Sequence, residues 1–373
     1  MPHLLNRRNL IKGMISALLG IGASSPFPDE VTKKTAIPLR EAMFYKNLDG
    51  QNVQCQLCPR QCIISDGRRG FCRNRENQGG KLYTVVYGKP SVVDIGPIEK
   101  APLYHFSPGH FRLCLTCASC NLRCKYCQNW HLSQRSLEEL NHYAYQPSEI
   151  VQEAKNHKLP SISFTYTEPT VYYEYLYDIS VIAKRSGIKT SIVSNGYINP
   201  EPLLKLLSVL DAVKIDLKGF SEKFYEEVSS ATLKPVLESL VTVKKEKVWL
   251  EIVNLVVPTL NDDPKMIDEM CRWIKENLGQ ETPLHFTRFF PNYKLTHLSP
   301  TPISTLESAY EIAKRNGLRY VYVGNVPGHI RNSTFCTSCN SKIIHRTHFD
   351  ILEMNITNGK CKFCGSLLPG RWR

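Results

Sequence analysis

The sequence lacks a long run of lysine and arginine residues, and it lacks an apolar stretch of transmembrane length. A spanning helix needs ~20 apolar residues, so no transmembrane segment is predicted. The formal net charge is nevertheless +13, from 47 basic and 34 acidic residues. Because acidic residues stand between the basic ones, we interpret this charge as a solvated surface, with an acidic redox partner or substrate as the alternative. Nucleic-acid binding is not indicated.

The first thirty residues carry the pattern of an export signal. Arg7 and Arg8 are paired, and an apolar stretch from about Met14 to Ala23 follows them. This pattern resembles a twin-arginine signal, which is an address and not part of the fold. The alternative is a basic amphipathic tail that stays in place. We predict a leader over residues 1–30.

Cysteine, by contrast, is abundant and clustered, with 14 residues. Four lie within residues 55–72, five within 114–127 and four within 336–364. Tight CxxC clusters in a chain of enzyme size indicate metal sites, whereas disulfides are typical of small secreted domains. Cys271 stands alone among apolar residues at helical spacing, which predicts packing in a core.

Strand and helix patterns alternate through the centre of the chain. Such alternation implies parallel strands joined by crossover helices. Six or seven such units predict a partial or full barrel. Two of the helical patterns are "PSEIVQEAKNH" and "PTVYYEYLYDISVIAKRSG", and the second ends at Gly187. The predicted strands are Arg112–Leu115, Ile162–Thr165, Thr190–Val193, Val213–Asp216, Val248–Val256, Leu284–Arg288 and Tyr320–Val323.

The predicted class is therefore α/β, with a partial (β/α) barrel of TIM type and a small metal-binding unit at each end. After the leader, an amino-terminal four-cysteine unit covers residues 31–106. The barrel covers residues 107–330, and a zinc-ribbon-like unit covers residues 331–373.

Three cysteines follow the first predicted strand in "CNLRCKYCQNW": Cys120, Cys124 and Cys127. A structural zinc site takes four ligands, and a 4Fe-4S cluster has four irons to coordinate. Three thiolates on one loop leave one iron open for an external ligand. Barrels place active sites at this end of their strands, so the loop predicts a catalytic cluster.

The ordered motifs resemble the radical S-adenosylmethionine (SAM) superfamily. They are "CQLCPRQC", "GFCRNREN", "PIEKAPLYHF", "CNLRCKYCQNW", "TYTEPTVYYEY", "SNGYI", "DLKGF", "VVPTLND", "YKLT" and "YVYVGNVPGH". Within the superfamily the chain resembles the AmmeMemoRadiSam-system radical enzymes, which are relatives of the pyruvate formate-lyase-activating enzymes. The resemblance covers nearly everything after the leader.

The resemblance implies an enzyme that cleaves SAM reductively at the open iron. The 5′-deoxyadenosyl radical would then abstract hydrogen from a substrate that the sequence does not identify. A protein glycine, as for the activating enzymes, is one candidate, and a small molecule is another. The implied partners are a reduced flavodoxin-like or ferredoxin-like donor and a Memo-like or glycyl-radical protein.

Family roles carry over where motifs match. Cys120, Cys124 and Cys127 match the cluster ligands, and "TYTEPT" stands where the superfamily has Gly-Gly-Glu, here without the glycines. "DLK" matches the Asp-x-Lys motif of the activating enzymes. The residues implied to contact SAM are Tyr126, Thr167, Glu168, Ser194, Asn195, Asp216 and Lys218.

One departure from the family pattern is "CLTCASC", which adds Cys114 and Cys117 before the triplet. The first falls in the predicted strand and the second in the loop near the cluster. We interpret both as small packing residues. The alternatives are a further cluster ligand and a redox pair.

Two four-cysteine sets flank the barrel. Cys55, Cys58, Cys62 and Cys72 could close a zinc site or an auxiliary 4Fe-4S cluster, and spacing alone does not decide between them. The carboxyl-terminal set has two CxxC pairs 21 residues apart, which favours structural zinc, with rubredoxin-type iron as the alternative. Its members are Cys336, Cys339, Cys361 and Cys364.

A second class of function stays open at this stage: a non-catalytic, exported electron-transfer or interaction protein with iron-sulfur and zinc sites. The leader supports export, whereas SAM and its reductants belong to the cytoplasm. His285, on a late predicted strand, is a weak candidate for substrate contact, since it shares a strand face with Thr287.

Overall fold

The computed structural model describes residues 37–372, which belong to one compact unit. The predicted leader, residues 1–30, lies outside the described residues. None of the described helices is long and apolar enough to cross a membrane. The segment boundaries predicted from sequence remain predictions. The described part of the amino-terminal unit is residues 37–106, and that of the carboxyl-terminal unit is residues 331–372.

The amino-terminal unit is built from short antiparallel strands in two three-stranded sheets. One sheet has the order β1-β6-β5 and the other β2-β3-β4. Its cysteines lie in β3 and in the turns beyond it, which places them near one another. The strands are β1 (Arg40–Glu41), β2 (Tyr45–Asn47), β3 (Val53–Cys55), β4 (Ile63–Ile64), β5 (Arg75–Gln78) and β6 (Lys81–Thr84).

An eight-stranded sheet forms the centre of the molecule. Seven strands run parallel in sequence order, and an antiparallel strand extends one edge. Within the described residues, no pairing joins the first strand of this sheet to the last. The strands are β7 (Val92–Pro97), β8 (Phe111–Thr116), β9 (Ser161–Phe164), β10 (Lys189–Ser194), β11 (Ala212–Asp216), β12 (Trp249–Val256), β13 (Leu284–Arg288) and β14 (Val321–Gly324).

The parallel strands are buried along nearly their whole length, as expected for a sheet covered by crossover helices. The α-helices are Trp130–Ser133, Pro147–Asn156, Tyr173–Arg185, Pro200–Leu207, Glu222–Phe224, Lys234–Lys245, Pro264–Leu278 and Ile303–Arg315. Short 3₁₀ segments lie at Asp49–Gln51, Ile98–Lys100, Leu137–Glu139, Pro169–Tyr172 and Ile330–Asn332, and a π-helical turn at Tyr225–Ser229.

The helix Pro264–Leu278 shows how local sequence sets these bounds. The Asp263 carboxylate accepts the backbone N–H of Met266 at 3.2 Å, so it caps the first turn, and Pro264 occupies the first helical position. Gly279, with φ 86°, ends the helix. Cys271 is fully buried on its apolar face, which confirms the predicted packing in a core.

The carboxyl-terminal unit packs against the segment that precedes β8. The backbone N–H of Arg371 donates to the His105 carbonyl oxygen at 2.7 Å, and the Ser107 N–H donates to the Arg371 carbonyl oxygen at 2.7 Å. The strands are β15 (Thr334–Phe335), β16 (Lys342–Thr347), β17 (Asp350–Met354), β18 (Ile356–Thr357) and β19 (Lys360–Cys361).

All seven parallel strands predicted from sequence are present, with ends within one residue of the prediction. The edge strand β7 was not predicted. The two quoted helical patterns are also confirmed, and the second begins with a 3₁₀ turn. The mostly parallel α/β sheet is thus confirmed, whereas closure into a full barrel is not observed among the described strands.

Candidate active site at the carboxyl ends of the parallel strands

One cavity of about 380 Å³ opens at the carboxyl ends of the parallel strands. Ligand sites in proteins are of this size. The three-cysteine loop follows β8, and the other motif residues follow or end β9, β10 and β11. All ten residues implied by the resemblance line it: Cys120, Cys124, Tyr126, Cys127, Thr167, Glu168, Ser194, Asn195, Asp216 and Lys218. Their individual roles remain predictions.

The cysteine sulfurs of this loop receive hydrogen bonds from the protein. The backbone N–H of Leu122 donates to Cys120 Sγ at 3.3 Å, and Asn195 Nδ2 lies 3.7 Å from the same sulfur. Ser133 Oγ lies 3.1 Å from Cys127 Sγ. Burial raises the pKa of the Cys120 thiol well above its ordinary value. A bound metal centre would supply the charge that favours the thiolate, so this donor set fits an iron-sulfur cluster.

Glu168 joins two strand ends through its carboxylate. Oε1 accepts from the backbone N–H of Thr170 at 3.1 Å, from its hydroxyl at 2.7 Å and from the Ser194 hydroxyl at 2.8 Å. Among residues 37–372, Oε2 accepts only the backbone N–H of Asn195, at 2.7 Å. Burial raises the pKa of Glu168, and these donors act against that rise. Oε2 therefore keeps acceptor capacity for a ligand in the cavity.

The backbone before Glu168 takes a conformation that favours glycine. Tyr166 has φ 66°, in the left-handed region that bulky residues rarely adopt. Its carbonyl oxygen accepts from Asn129 Nδ2 at 2.8 Å. The Thr167 hydroxyl donates to the Cys117 carbonyl oxygen at 2.8 Å. The residues that replace the family's glycines thus keep a glycine-like turn, and Thr167 fixes it to the cysteine loop.

A second glycine position shows the same constraint in "SNG". Gly196 has φ 71°, and a Cβ there would lie 3.1 Å from Ile215 Cγ2. The backbone N–H of Gly196 donates to Ser194 Oγ at 3.0 Å. A side chain at this position would strain the turn that orients Ser194 and Asn195 toward Glu168.

Asp216 lies between two lysines on the cavity wall. Lys218 Nζ is 3.2 Å from Asp216 Oδ2, and Lys214 Nζ bonds to Oδ1. Burial alone would raise the pKa of Asp216, but the two ammonium charges outweigh it and lower the pKa. The Asp216 charge likewise raises the pKa of Lys218 against the effect of burial. Burial lowers the pKa of Lys214, so Lys218 is the lysine whose positive charge best suits a carboxylate ligand.

The sequence analysis did not identify Lys214 as a site residue, although its spacing to Asp216 could have indicated it. Lys214, Asp216 and Lys218 are two residues apart, and side chains at that spacing share a strand face. Lys218 Nζ also lies 6.0 Å from the centre of the Tyr126 ring. The three charged groups and this ring therefore line one side of the cavity.

His285 and Thr287 also line the cavity, which agrees with the strand face that they share. His285 Nε2 is 2.8 Å from Glu251 Oε2, and both side chains are buried. Burial would raise the pKa of Glu251, but the hydrogen bond from His285 contributes to lowering it to about 2. The Glu251 carboxylate also accepts the backbone N–H groups of Tyr104 and His105. Sequence reasoning did not identify Glu251.

Cys114 and Cys117 are both fully buried. Arg112 Nη1 lies 2.7 Å from Cys114 Sγ, and Cys117 Sγ contacts the Val86 carbonyl oxygen at 3.7 Å. Neither residue lines the cavity of the three-cysteine loop. These contacts favour packing over cluster ligation.

The carboxyl-terminal cysteines converge on one point. All four sulfurs lie within 4.8 Å of one another, with Cys336 Sγ 3.7 Å from Cys364 Sγ and Cys339 Sγ 3.8 Å from Cys361 Sγ. A tetrahedral site with metal–sulfur bonds of ~2.3 Å sets its sulfurs about 3.8 Å apart. This set could therefore hold a single metal ion.

The amino-terminal cysteines line a separate, smaller cavity. Burial raises the pKa of Cys58 to about 12 and that of Cys72 to about 11. Thiols in such surroundings ionise only when a compensating charge is near. The structure thus brings Cys55, Cys58, Cys62 and Cys72 together, as their spacing predicts.

Sequence comparison identifies a matching family model and two informative relatives. The model described as the Radical SAM superfamily matches residues 115–274, which include every predicted SAM contact. The uncharacterized protein MJ0808 of Methanocaldococcus jannaschii is 49% identical over 329 residues, 88% of this chain and 98% of that protein. A pyruvate formate-lyase-activating enzyme of Clostridium pasteurianum is 27% identical over 164 residues, 42% of this chain and 66% of that enzyme.

Solved structures show a distant likeness. A radical SAM methyltransferase from Sphaerobacter thermophilus has a TM-score of 0.48 at 11% identity, and the match covers 84% of this chain and 92% of that one. SuiB of Streptococcus suis bound to S-adenosylmethionine has a TM-score of 0.46 at 16% identity, covering 61% and 53%.

The buried charges around Asp216 generate a stability prediction. Asp216→Asn leaves two lysines on the cavity wall without their counter-charge, and we expect the free energy of unfolding to fall by about 3 kcal/mol. Urea unfolding followed by circular dichroism measures the change. The matched control is Asp268→Asn, which breaks an exposed pair with Arg272 and should leave the free energy of unfolding nearly unchanged. Equal stability of the two variants would contradict the assignment of Asp216 as the counter-charge.

Proposed function

This chain belongs to the radical SAM superfamily, and we propose that it binds S-adenosylmethionine in the strand-end cavity and cleaves it reductively beside Cys120, Cys124 and Cys127. One observation carries the proposal: the three cysteine sulfurs and every side chain implied to contact SAM line the same cavity. The carboxylate of Glu168 suits the methionine amino group of SAM, and the ammonium group of Lys218 suits the methionine carboxylate.

Cys120, Cys124 and Cys127 would hold a 4Fe-4S cluster, which would supply the electron for reductive cleavage of the sulfonium. The chain's own residues would bind and orient SAM. Glu168 Oε2 has acceptor capacity for the methionine amino group, and Lys218 beside Asp216 would pair with the methionine carboxylate. Tyr126 would border the adenine, and Asn195 holds the Glu168 carboxylate through its backbone N–H. We propose that the eight-stranded sheet curves into a partial barrel around this site.

The proposed reaction of the product radical is hydrogen abstraction from a substrate. The 27% identity with a pyruvate formate-lyase-activating enzyme supports a protein glycine as one substrate class. The motif resemblance to the AmmeMemoRadiSam-system enzymes supports a Memo-like partner as the other candidate. Either reaction needs a low-potential one-electron donor, for which reduced flavodoxin-like or ferredoxin-like proteins are suited.

The proposal predicts a specific product. The chain reconstituted anaerobically with iron and sulfide, reduced with dithionite and given SAM should form 5′-deoxyadenosine, which liquid chromatography measures. The Cys120/Cys124/Cys127→Ala triple variant should form none, because no open-iron cluster can assemble. Cys271→Ala is the matched control and should retain the wild-type amount, since this buried thiol lies in a helix remote from the cavity lining.

Two outcomes would contradict this function. One is equal product from the triple variant, which would place the chemistry elsewhere. The other is a wild-type protein with a full cluster whose electron paramagnetic resonance (EPR) spectrum does not respond to SAM and which forms no product. The second result would favour the alternative of a non-catalytic, exported electron-transfer or interaction protein.

For the carboxyl-terminal set we propose structural zinc, supported by the sulfur spacing of 3.7 and 3.8 Å. Zinc analysis of the purified chain should give about one ion. Cys361→Ser should lose that ion and unfold at a lower urea concentration, because the metal holds a unit that packs against His105. Cys271→Ala should keep the ion. One iron in place of zinc, without sulfide, would contradict zinc and indicate a rubredoxin-type site.

A separate experiment tests whether the protein is exported. We propose that residues 1–30 act as a twin-arginine signal, on the basis of Arg7 and Arg8 and the apolar stretch after them. Fused to a reporter that fluoresces after twin-arginine transport, they should give periplasmic fluorescence. Arg7→Lys/Arg8→Lys should abolish it while leaving expression unchanged. Cytoplasmic retention of the unmodified fusion would contradict export and agree with the location of SAM.

A further inference from the structure

We propose that Cys55, Cys58, Cys62 and Cys72 hold a second 4Fe-4S cluster, with all four irons bound by thiolates, directly behind the wall of the active-site cavity. Sequence spacing leaves zinc and a cluster open for these residues, and the packing around them favours the cluster. The inference concerns the metal content of the chain and does not depend on the proposed reaction.

The first observation is the shared cavity. All four cysteines line it, together with the apolar side chains of Leu57, Ile64 and Val171. Cys55 is buried and the other three are partly buried. Four thiolates around one enclosed, mainly apolar space provide full coordination of a cluster without an open position.

The second observation is the separation of the sulfurs, for which the chain contains its own reference. The carboxyl-terminal sulfurs all lie within 4.8 Å of one another, as one tetrahedral ion requires. Among the described residues, no three sulfurs of the amino-terminal set lie that close, and the same holds for Cys120, Cys124 and Cys127. A cubane cluster binds thiolates at its outer corners, further apart than a single ion can. Neither of these two sets therefore has the single-ion spacing of the carboxyl-terminal set.

The third observation is the charge beside the cavity. Arg75 lines it with its side chain 1% exposed. Nη2 pairs with Glu174 Oε1 at 2.6 Å and Nη1 donates to the Met43 carbonyl oxygen at 2.9 Å, while Nε has no hydrogen-bond partner among the described residues. An unpaired buried N–H is costly. Cluster and cysteinyl sulfurs are acceptors for such a donor, and hydrogen bonds of this kind tune cluster potentials.

The fourth observation is a pair of arginines that joins the two cysteine loops. Arg60, between Cys58 and Cys62, donates to the Asn121 carbonyl oxygen at 2.6 Å. Arg123 donates to the Cys120 carbonyl oxygen at 2.8 Å and to the Phe71 carbonyl oxygen at 2.6 Å. The two guanidinium groups lie 3.5 Å and 4.0 Å from the centre of the Phe71 ring.

These contacts fix the position of the second cluster. Asn121, which lines the amino-terminal cavity, follows Cys120 directly, and Thr170 lines the same cavity while it donates to Glu168. Neighbouring residues of the same loops thus line the two cavities. Arg60 and Arg123 join the two cysteine loops, so assembly of one site should restrain the loop of the other.

The test uses the full chain reconstituted with iron and sulfide under anaerobic conditions. The Cys120/Cys124/Cys127→Ala variant should retain about four irons and four sulfides. After reduction it should give an EPR signal that does not change when SAM is added, because a cluster with four thiolates has no open iron. The Cys55/Cys58→Ala variant should lose about four irons and four sulfides relative to wild type, and it should keep the SAM-responsive signal. Cys271→Ala should keep both signals.

Wild-type protein gives an independent measurement in case a variant fails to fold. It should contain about eight irons and eight sulfides. Reduction should give two EPR signals, of which one responds to SAM. About four irons with two zinc ions and a single, fully SAM-responsive signal would overturn the second cluster. The sulfide count excludes a false positive from one carboxyl-terminal iron, since such an iron carries no sulfide. This result is separate from the deoxyadenosine assay, so a second cluster can be found in a protein that fails that assay.

Arg75 offers a further check on the same site. Arg75→Lys keeps the charge opposite Glu174 but removes Nε. We expect it to shift the reduction potential of the SAM-insensitive cluster and leave that of the SAM-responsive cluster unchanged, as measured by redox titration with EPR detection. Unchanged potentials at both clusters in a folded, loaded variant would overturn the role of Arg75.

Discussion

The Glu168 carboxylate and the side chain of Asn195 hold the candidate site together. Glu168 follows β9 and accepts hydrogen bonds from the end of β10, from the Ser194 hydroxyl at Oε1 and from the backbone N–H of Asn195 at Oε2. Asn195 Nδ2 in turn donates to Asn121 Oδ1 at 2.9 Å and lies near Cys120 Sγ. The chain of bonds thus runs from a strand end to the cysteine loop. These hydrogen bonds set the position of the cysteine loop relative to the rest of the cavity.

Three sets of cysteines in one chain differ in the distances between their sulfurs, and this difference follows from the surrounding fold. The carboxyl-terminal set lies on two tight turns that direct four sulfurs at one point. The other two sets lie on wider loops beside buried arginine and lysine side chains. Buried thiols need a compensating charge to ionise. The spacing of the carboxyl-terminal set suits a single metal ion, and we propose iron-sulfur clusters for the other two sets.

Much of the fold was predictable from sequence because each buried strand is a short apolar run between turn signals. The strand β13, Leu284–Arg288, was predicted to the residue. The grouping of the SAM-contact residues was predictable because parallel strands end at one edge of a sheet. Motifs at successive strand ends must then meet there. Lys214 could have been found from its two-residue spacing to Asp216, whereas Glu251 could not, because its partner His285 is 34 residues away.

The nature of the amino-terminal metal site was not predictable from sequence. Spacing within "CQLCPRQC" permits one ion or a cluster, and the choice depends on how far apart the folded loops hold the sulfurs. The contacts of Arg75 with Glu174, and those of Arg60 and Arg123 with distant loops, arise only in the folded chain. The positive φ at Tyr166 was also not predictable, because tyrosine rarely adopts this conformation and its presence in a sequence does not indicate one.

The proposed function requires SAM to bind the open iron of the cluster through its amino group, next to Glu168. Electron–nuclear double resonance on the reduced chain with SAM labelled with ¹⁵N at the amino group tests it directly. The account predicts a resolved ¹⁵N coupling to the cluster in the wild-type protein, and its loss in the Cys120/Cys124/Cys127→Ala variant. A loaded wild-type cluster with bound SAM and no ¹⁵N coupling would contradict the account.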